Sequence, residues 1–90
     1  MIFVDQIKNY SLSSIKGRAK RYGCSWCHMW TDGDIEELHE FAEKIGMKRS
    51  WFQDKSLKHY DLTAARRALA IDNGAKECSL KEWMRKYIMV

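Results

Sequence analysis

The sequence contains no proline, only five glycines and three cysteines in 90 residues, and no long apolar run. A membrane span needs roughly 20 consecutive apolar residues, so no membrane partner is expected. An acid, Asp5, follows only three apolar residues after Met1, which is unlike a secretory signal. The odd number of cysteines then disfavours a disulfide framework. The length of 90 residues predicts one compact domain over residues 1–90. The lack of an apolar span and of a signal predicts a location in the cytoplasm, or in the host cell cytoplasm if the chain is phage-encoded.

Basic and acidic residues are concentrated in different segments of the chain, although the formal net charge is only +4. The basic residues near the start are Lys8, Lys16, Arg18, Lys20 and Arg21. The acidic residues that follow are Asp32, Asp34, Glu36, Glu37, Glu40 and Glu43. Residues 8–23 have few apolar positions and no clear period, which predicts a long basic loop. Such a loop suits an anionic partner, and nucleic acid is one alternative for that partner.

Apolar patterning predicts strands that alternate with helices. The predicted strands are 2–4, 24–31, 50–53 and 75–78, with a short extended segment at 59–62. Asp34, Thr63 and Ser79 are candidate N-caps of three helices, and Gly46 and Gly74 are candidate C-terminal stops of the first two. This alternation predicts an α/β fold with a small, mostly parallel sheet and about three helices.

Polar and aromatic residues cluster where strands are predicted to lead into helices, the usual ligand-binding rim of an α/β sheet. The candidate ligand-binding residues are Asp5, His28, His39, Trp51, Gln53, His59, Tyr60, Asp61, Thr63, Arg66 and Arg67. The helix start at Thr63 and the guanidinium of Arg67 suit a phosphate group. The histidines are expected to donate hydrogen bonds, and Trp51 or Tyr60 is expected to stack on a base. Trp26 and Trp30 are further aromatic candidates for that surface.

Several residues also fit metal chemistry. Cys24, Cys27 and His28 form a C-x-x-C-H pattern, which is typical of haem attachment in exported proteins and supplies only one of the two close ligand pairs of a structural zinc site. The histidines with Asp5 and Asp61 suit either a catalytic metal or acid–base catalysis. No catalytic residue, metal site or cofactor is assigned from the sequence, since it contains no nucleophile elbow, Walker loop or H-E-x-x-H motif.

An ordered set of short segments carries a family resemblance. The segments are 26–29, 37–42, 45–46, 51–53, 59–63, 67–68 and 74–75, after an opening Val4-Asp5. In this order and spacing they resemble a family of small phage and bacterial proteins described only as a domain of unknown function. The resemblance covers roughly residues 2–77. It implies that Asp5, Cys27, His28, His39, Trp51, Gln53, His59, Tyr60, Asp61 and Arg67 belong to the family pattern, and it implies no activity.

The sequence therefore predicts a protein that binds a nucleotide-like or phosphorylated small molecule, for example a phage protein that sequesters a host signalling nucleotide. A metal-dependent phosphoesterase or nuclease stays open as an alternative. Nucleic-acid binding through the basic loop is another. A fourth is an interaction module, in which apolar residues of the last helix such as Trp83 and Met84 inhibit a host factor or form a homo-oligomer.

Overall fold

The computed structural model describes residues 1–9 and 25–87, and these form a sheet with three α-helices. The strands are β1 (Ile2–Val4), β2 (Lys8–Asn9), β3 (Ser25–Thr31), β4 (Gln53–Asp54), β5 (Lys58–Leu62) and β6 (Lys76–Glu77). The helices are α1 (Ile35–Lys44), α2 (Ala64–Asp72) and α3 (Leu80–Tyr87), with a 3-10 turn at Arg49–Trp51.

The sheet is mixed and mostly antiparallel, so the predicted mostly parallel sheet is wrong. Its strand order is β4-β5-β3-β1-β6, with β2 also paired to β3. Among the described strands, only β1 and β6 are parallel neighbours. For the β4–β5–β3 side of the sheet, the reason is the short connection 55–57, which folds β4 and β5 into an antiparallel pair. Because this hairpin reverses the chain after α1, β5 runs antiparallel to β3 instead of parallel to it.

Helix boundaries follow the sequence signals closely. Asp34 caps α1, its carboxylate accepting from the backbone N–H of Glu36, and Thr63 caps α2 through its hydroxyl. Gly46 and Gly74 follow the two helices with φ of 83° and 106°, a conformation that a β-carbon disfavours. Ser79 Oγ accepts from the backbone N–H of Glu82 in the first turn of α3. All three predicted N-caps therefore accept a hydrogen bond at the start of their helices.

The two faces of the sheet are covered differently. Helices α1 and α2 cover one face, and the larger core lies there. Its fully buried members include Val4, Cys27, Met29, Leu38, Ala42, Tyr60, Leu62 and Ala70. On the opposite face, α3 contributes Trp83 to a small cluster with Phe3 and Trp30. This second cluster covers part of its face only, and polar side chains take the remainder.

Two local predictions differ from the structure. The apolar pattern predicts a strand at residues 50–53, but these residues span the 3-10 turn and the start of β4, because the chain must turn before the hairpin. The predicted loop 8–23 begins as strand β2, and its remainder lies outside the described residues. None of the helices in the described part of the chain is long and apolar enough to cross a membrane.

Candidate functional site

One face of the sheet carries a row of polar side chains beside the aromatic cluster of α3. Residues that pair across strands, and alternate residues within a strand, point to the same face. The register pairs His28 with Asp61, and Gln53 with His59. Asp5 lies opposite His28, since its backbone N–H donates to the His28 carbonyl oxygen at 3.2 Å. Five of the predicted site residues therefore share this face.

Asp5 fixes the orientation of His28. Its Oδ1 accepts from the backbone N–H of His28 at 2.6 Å, and its Oδ2 accepts from Nδ1 of the same residue at 2.9 Å. Arg67 Nε donates to the Asp5 carbonyl oxygen at 2.7 Å, which holds the aspartate backbone in place. Because the buried carboxylate binds the proton on Nδ1, the lone pair of neutral His28 lies on Nε2.

A β-bulge follows Asp5 along the same edge. Asp5 stands opposite His28, and Lys8 pairs with Trp26, so two residues on one strand face the single residue Cys27 on the other. Such bulges re-aim side chains and are common beside active sites. Here the bulge keeps both Asp5 and Lys8 on the polar face, although they are three positions apart.

His59 is oriented in the same manner as His28. Its Nδ1 donates to the carbonyl oxygen of Leu57 at 2.7 Å, so Nε2 is the nitrogen left for a second interaction. That Nε2 lies 3.3 Å from Asp61 Oδ1. The other carboxylate oxygen of Asp61 accepts a hydrogen bond from the Gln53 side-chain amide. Each of the three polar groups is thus held by a second residue.

His28, His59 and Asp61 together form a set of potential metal ligands. One ligand atom from each lies within 4.8 Å of the other two, and the two imidazole rings meet edge to face with centroids 5.0 Å apart. Bond lengths near 2.0 Å place tetrahedral ligand atoms about 3.3 Å apart, and the 3.3 Å between His59 Nε2 and Asp61 Oδ1 equals that separation. Two imidazoles and one carboxylate, with positions left for water, are the ligand set of catalytic metal centres.

Burial and hydrogen bonding act in opposite directions on the pKa values of His59 and Asp61. Burial alone would lower the pKa of His59, but the hydrogen bonds to Asp61 and to the Leu57 carbonyl outweigh it, and the pKa is raised. Burial would likewise raise the pKa of Asp61, but the hydrogen bonds from His59 and Gln53 hold it below its ordinary value. In the metal-free protein the two residues therefore form an ion pair over a wide pH range.

This ion pair predicts how the stability of the metal-free protein depends on pH. The raised pKa of His59 contributes stability that is complete below pH 6.5 and lost as the pH rises through the folded-state value. The lowered pKa of Asp61 contributes stability that is complete above pH 3.8 and lost as the pH falls through its own folded-state value. We expect the urea midpoint of the wild type to decline above pH 6.5, and Asp61→Asn to decline much less. Parallel curves for the two proteins would contradict the assigned pair.

Cys27 contributes nothing to the polar face. It precedes His28 in the strand, so its side chain lies on the opposite face, fully buried in the larger core. Burial raises the pKa of its thiol to about 12, which keeps it protonated. Cys27 and His28 therefore do not face one site, as a C-x-x-C-H haem motif or a zinc site that used both residues would require, and Cys24 lies outside the described residues.

Several predicted site residues lie on the helix-covered face. His39 is buried in α1, where its Nδ1 is hydrogen bonded to the Tyr60 hydroxyl at 2.7 Å. Trp51 packs against the same core. The guanidinium carbon of Arg66 lies over the Trp51 ring, 5.7 Å from the ring centroid. Arg66 also donates to the Gly46 carbonyl oxygen at 3.1 Å. The structure thus separates these four residues from the His28, His59 and Asp61 set.

Thr63 and Arg67 have structural contacts that compete with phosphate. The Thr63 hydroxyl accepts from the Arg66 backbone N–H at 3.3 Å as the cap of α2. Arg67 is bound to the Asp5 carbonyl oxygen, and its Nη2 donates to Glu77 Oε1 at 2.7 Å. Arg67 therefore lies at the edge of the polar face, where two of its five N–H donors already have protein partners.

The sequence did not reveal the carbonyl oxygen of Leu57, which fixes the tautomer of His59. A backbone acceptor leaves no signal in residue types. The grouping of His59 with Asp61 did have a signal, because residues two apart in a strand share a face. The same rule places Tyr60 on the other face.

A protein-family model matches residues 16–89, and its description is "Protein of unknown function (DUF4031)". No curated protein and no solved structure matches the chain.

Proposed function

The chain belongs to this DUF4031 family, and from the geometry of its site we propose that it is a divalent-metal-dependent hydrolase that acts on phosphoesters. One observation carries the proposal. His28, His59 and Asp61 each bring one potential ligand atom within 4.8 Å of the others. The Nδ1 atoms of the two histidines are bound by Asp5 and by the Leu57 carbonyl, and Nε2 of His59 faces the carboxylate of Asp61. Second residues that orient imidazole ligands are the usual accompaniment of functional metal sites.

The three ligand residues suit a transition metal such as Zn²⁺ or Mn²⁺, because imidazole nitrogen with carboxylate oxygen is a common donor set for those ions. When bound, such an ion would lower the pKa of coordinated water and polarise a phosphoryl oxygen. The net reaction adds water across a phosphorus–oxygen bond. The water oxygen bonds to phosphorus, the ester bond breaks, and the departing alcohol takes a proton.

The chain's own residues hold the ligands in place. Asp5 accepts a hydrogen bond from His28, and the Gln53 amide donates one to Asp61. Trp30 and Trp83 pack with Phe3 in the apolar cluster on the same face of the sheet.

The experiment that tests this proposal is a titration of chelator-treated protein with Zn²⁺ and Mn²⁺ by calorimetry, followed by assay of bis(4-nitrophenyl) phosphate hydrolysis. We expect one ion per chain, and turnover that is lost with EDTA and restored by the metal. His39→Gln is a matched control, since it changes a buried histidine on the opposite face. Failure of both metals to bind, or turnover that persists in EDTA, would overturn the proposal.

The remaining expectations from the sequence stay predictions. Binding of nucleic acid by Lys16, Arg18, Lys20 and Arg21 concerns residues outside the described part of the chain. A cytoplasmic location is part of the proposal, as is a phosphorylated substrate. Self-association would draw on Met84, an exposed apolar residue of α3.

A further inference from the structure

The strand pairing at Asp5 departs from a regular antiparallel ladder. In a regular ladder, the two residues of a hydrogen-bonded pair each donate a backbone N–H to the carbonyl oxygen of the other. The backbone N–H of Asp5 does donate to the carbonyl oxygen of His28, at 3.2 Å. The backbone N–H of His28, in contrast, donates to the carboxylate Oδ1 of Asp5 at 2.6 Å. The side chain of Asp5 therefore takes the place that its own carbonyl group would occupy in the ladder.

Arg67 binds the carbonyl oxygen that this exchange turns out of the ladder. Its Nε donates to the Asp5 carbonyl oxygen at 2.7 Å, and its Nη2 donates to Glu77 Oε1 at the same distance. Only 17% of the Arg67 side-chain surface is exposed. A buried carbonyl group needs a hydrogen-bond partner, and a guanidinium is a strong, charged donor. The arginine thereby stabilises the arrangement in which the Asp5 carboxylate binds both the backbone N–H and the Nδ1 of His28.

Arg67 approaches Asp5 from the face of the sheet opposite the metal ligands. It belongs to α2, which packs on the helix-covered face. The buried thiol of Cys27 lies on that face, and its pKa is raised by burial to about 12 against the opposing effect of the nearby Arg67 guanidinium. This position favours a role behind the metal ligands over direct contact with a substrate phosphate.

We propose that Arg67 is a positioning residue of the metal centre, which acts through Asp5 on the orientation of His28. Its effect on metal affinity rests on the proposed function, whereas its effect on His28 does not require the metal. Without the guanidinium, the Asp5 carbonyl oxygen gains most by returning to the ladder and accepting from the His28 backbone N–H. The carboxylate then no longer fixes Nδ1, so Nε2 is no longer kept as the ligand atom.

The tautomer of His28 in the metal-free protein tests the first step. NMR spectra of the imidazole nitrogens at alkaline pH distinguish the nitrogen that carries the proton from the one with the lone pair. We expect the proton on Nδ1 in the wild type and a mixture of tautomers in Arg67→Ala. Arg67→Lys should recover the wild-type spectrum in part, because an ammonium group also donates to a carbonyl oxygen. Arg66→Ala is a matched control, since Arg66 is the neighbouring residue of α2 and donates to the carbonyl oxygen of Gly46.

Calorimetric titration with Zn²⁺ tests the second step. We expect Arg67→Ala to weaken binding roughly 10-fold, at the lower end of the effect of residues that orient metal ligands. A double-mutant cycle with Asp5→Asn shows whether Arg67 acts through Asp5. In the Asp5→Asn background, Arg67→Ala should have no further effect, because the carboxylate that it positions is already absent. Arg66→Ala should leave the affinity unchanged in both backgrounds.

The outcomes separate a positioning role from the alternatives. A Zn²⁺ affinity that Arg67→Ala leaves unchanged would overturn the proposal, and an accompanying rise in the KM for bis(4-nitrophenyl) phosphate would instead support the phosphate contact that the sequence predicts. Equal losses in Arg66→Ala and Arg67→Ala, or additive losses in the double-mutant cycle, would overturn it in favour of a general effect on folding. A wild-type protein that binds no metal would overturn the proposed hydrolase, and the tautomer of His28 would then decide alone whether Arg67 orients that residue.

Discussion

His59→Ala is expected to abolish stoichiometric metal binding, and phosphoester hydrolysis with it. The substitution removes one of three protein ligands and leaves Asp61 without the imidazole that faces it at 3.3 Å. Loss of an outer residue that orients a ligand typically costs 10–100-fold in metal affinity, and loss of a ligand itself should cost more than that. Calorimetric titration with Zn²⁺ measures the affinity, and initial rates on bis(4-nitrophenyl) phosphate measure the activity.

The same reasoning ranks a series of variants by their expected affinity for metal. Asp5→Asn and Gln53→Ala leave all three ligands in place but loosen them, so each should fall between the wild type and His59→Ala. His39→Gln should retain wild-type affinity, because His39 contacts Tyr60 on the other face. If His39→Gln lost as much affinity as His59→Ala, the effect would reflect folding. If Asp5→Asn lost none, the carboxylate would not orient His28.

Local features of this fold were predictable from the sequence because local rules govern them. The cap at Asp34, the left-handed glycine at Gly46 and the strand ending at Val4 depend only on neighbouring residues. Strand direction was not predictable in this manner. It depends on the hairpin between β4 and β5, whose connection at 55–57 contains neither an Asn-Gly nor an Asp-Gly turn.

The candidate site was predictable in its residue types but not in its grouping. His28, His39 and His59 are chemically identical in a sequence, and nothing local distinguishes the histidine that a helix buries against a tyrosine. Their assignment to faces requires the strand register and the helix packing. One part of the grouping does follow from the sequence. Side chains alternate between the two faces along a strand, so His59 lies on the same face as Asp61 and Tyr60 lies on the opposite face.

Trp30→Ala is expected to be the most destabilising single substitution on the metal-site side of the sheet. Trp30 is fully buried, stacks against Phe3 at 6.0 Å between ring centroids, and meets Trp83 edge to face at 5.8 Å. Truncation of a buried tryptophan costs about 3–5 kcal/mol, a large fraction of the roughly 5–15 kcal/mol that stabilises a small domain. Urea unfolding followed by circular dichroism measures the loss in the free energy of unfolding.

A conservative variant at the same position separates packing from hydrogen bonding. The indole N–H of Trp30 is buried and has no hydrogen-bond partner among the described residues, so Trp30→Phe removes an unsatisfied donor while it keeps a ring against Phe3. Its cost should therefore be much smaller than that of Trp30→Ala. Equal losses for the two variants would mean that the ring contacts contribute little. Because Trp30 lies two residues from His28 on the same face, the alanine variant should also weaken metal binding, whereas the phenylalanine variant should bind metal as the wild type does.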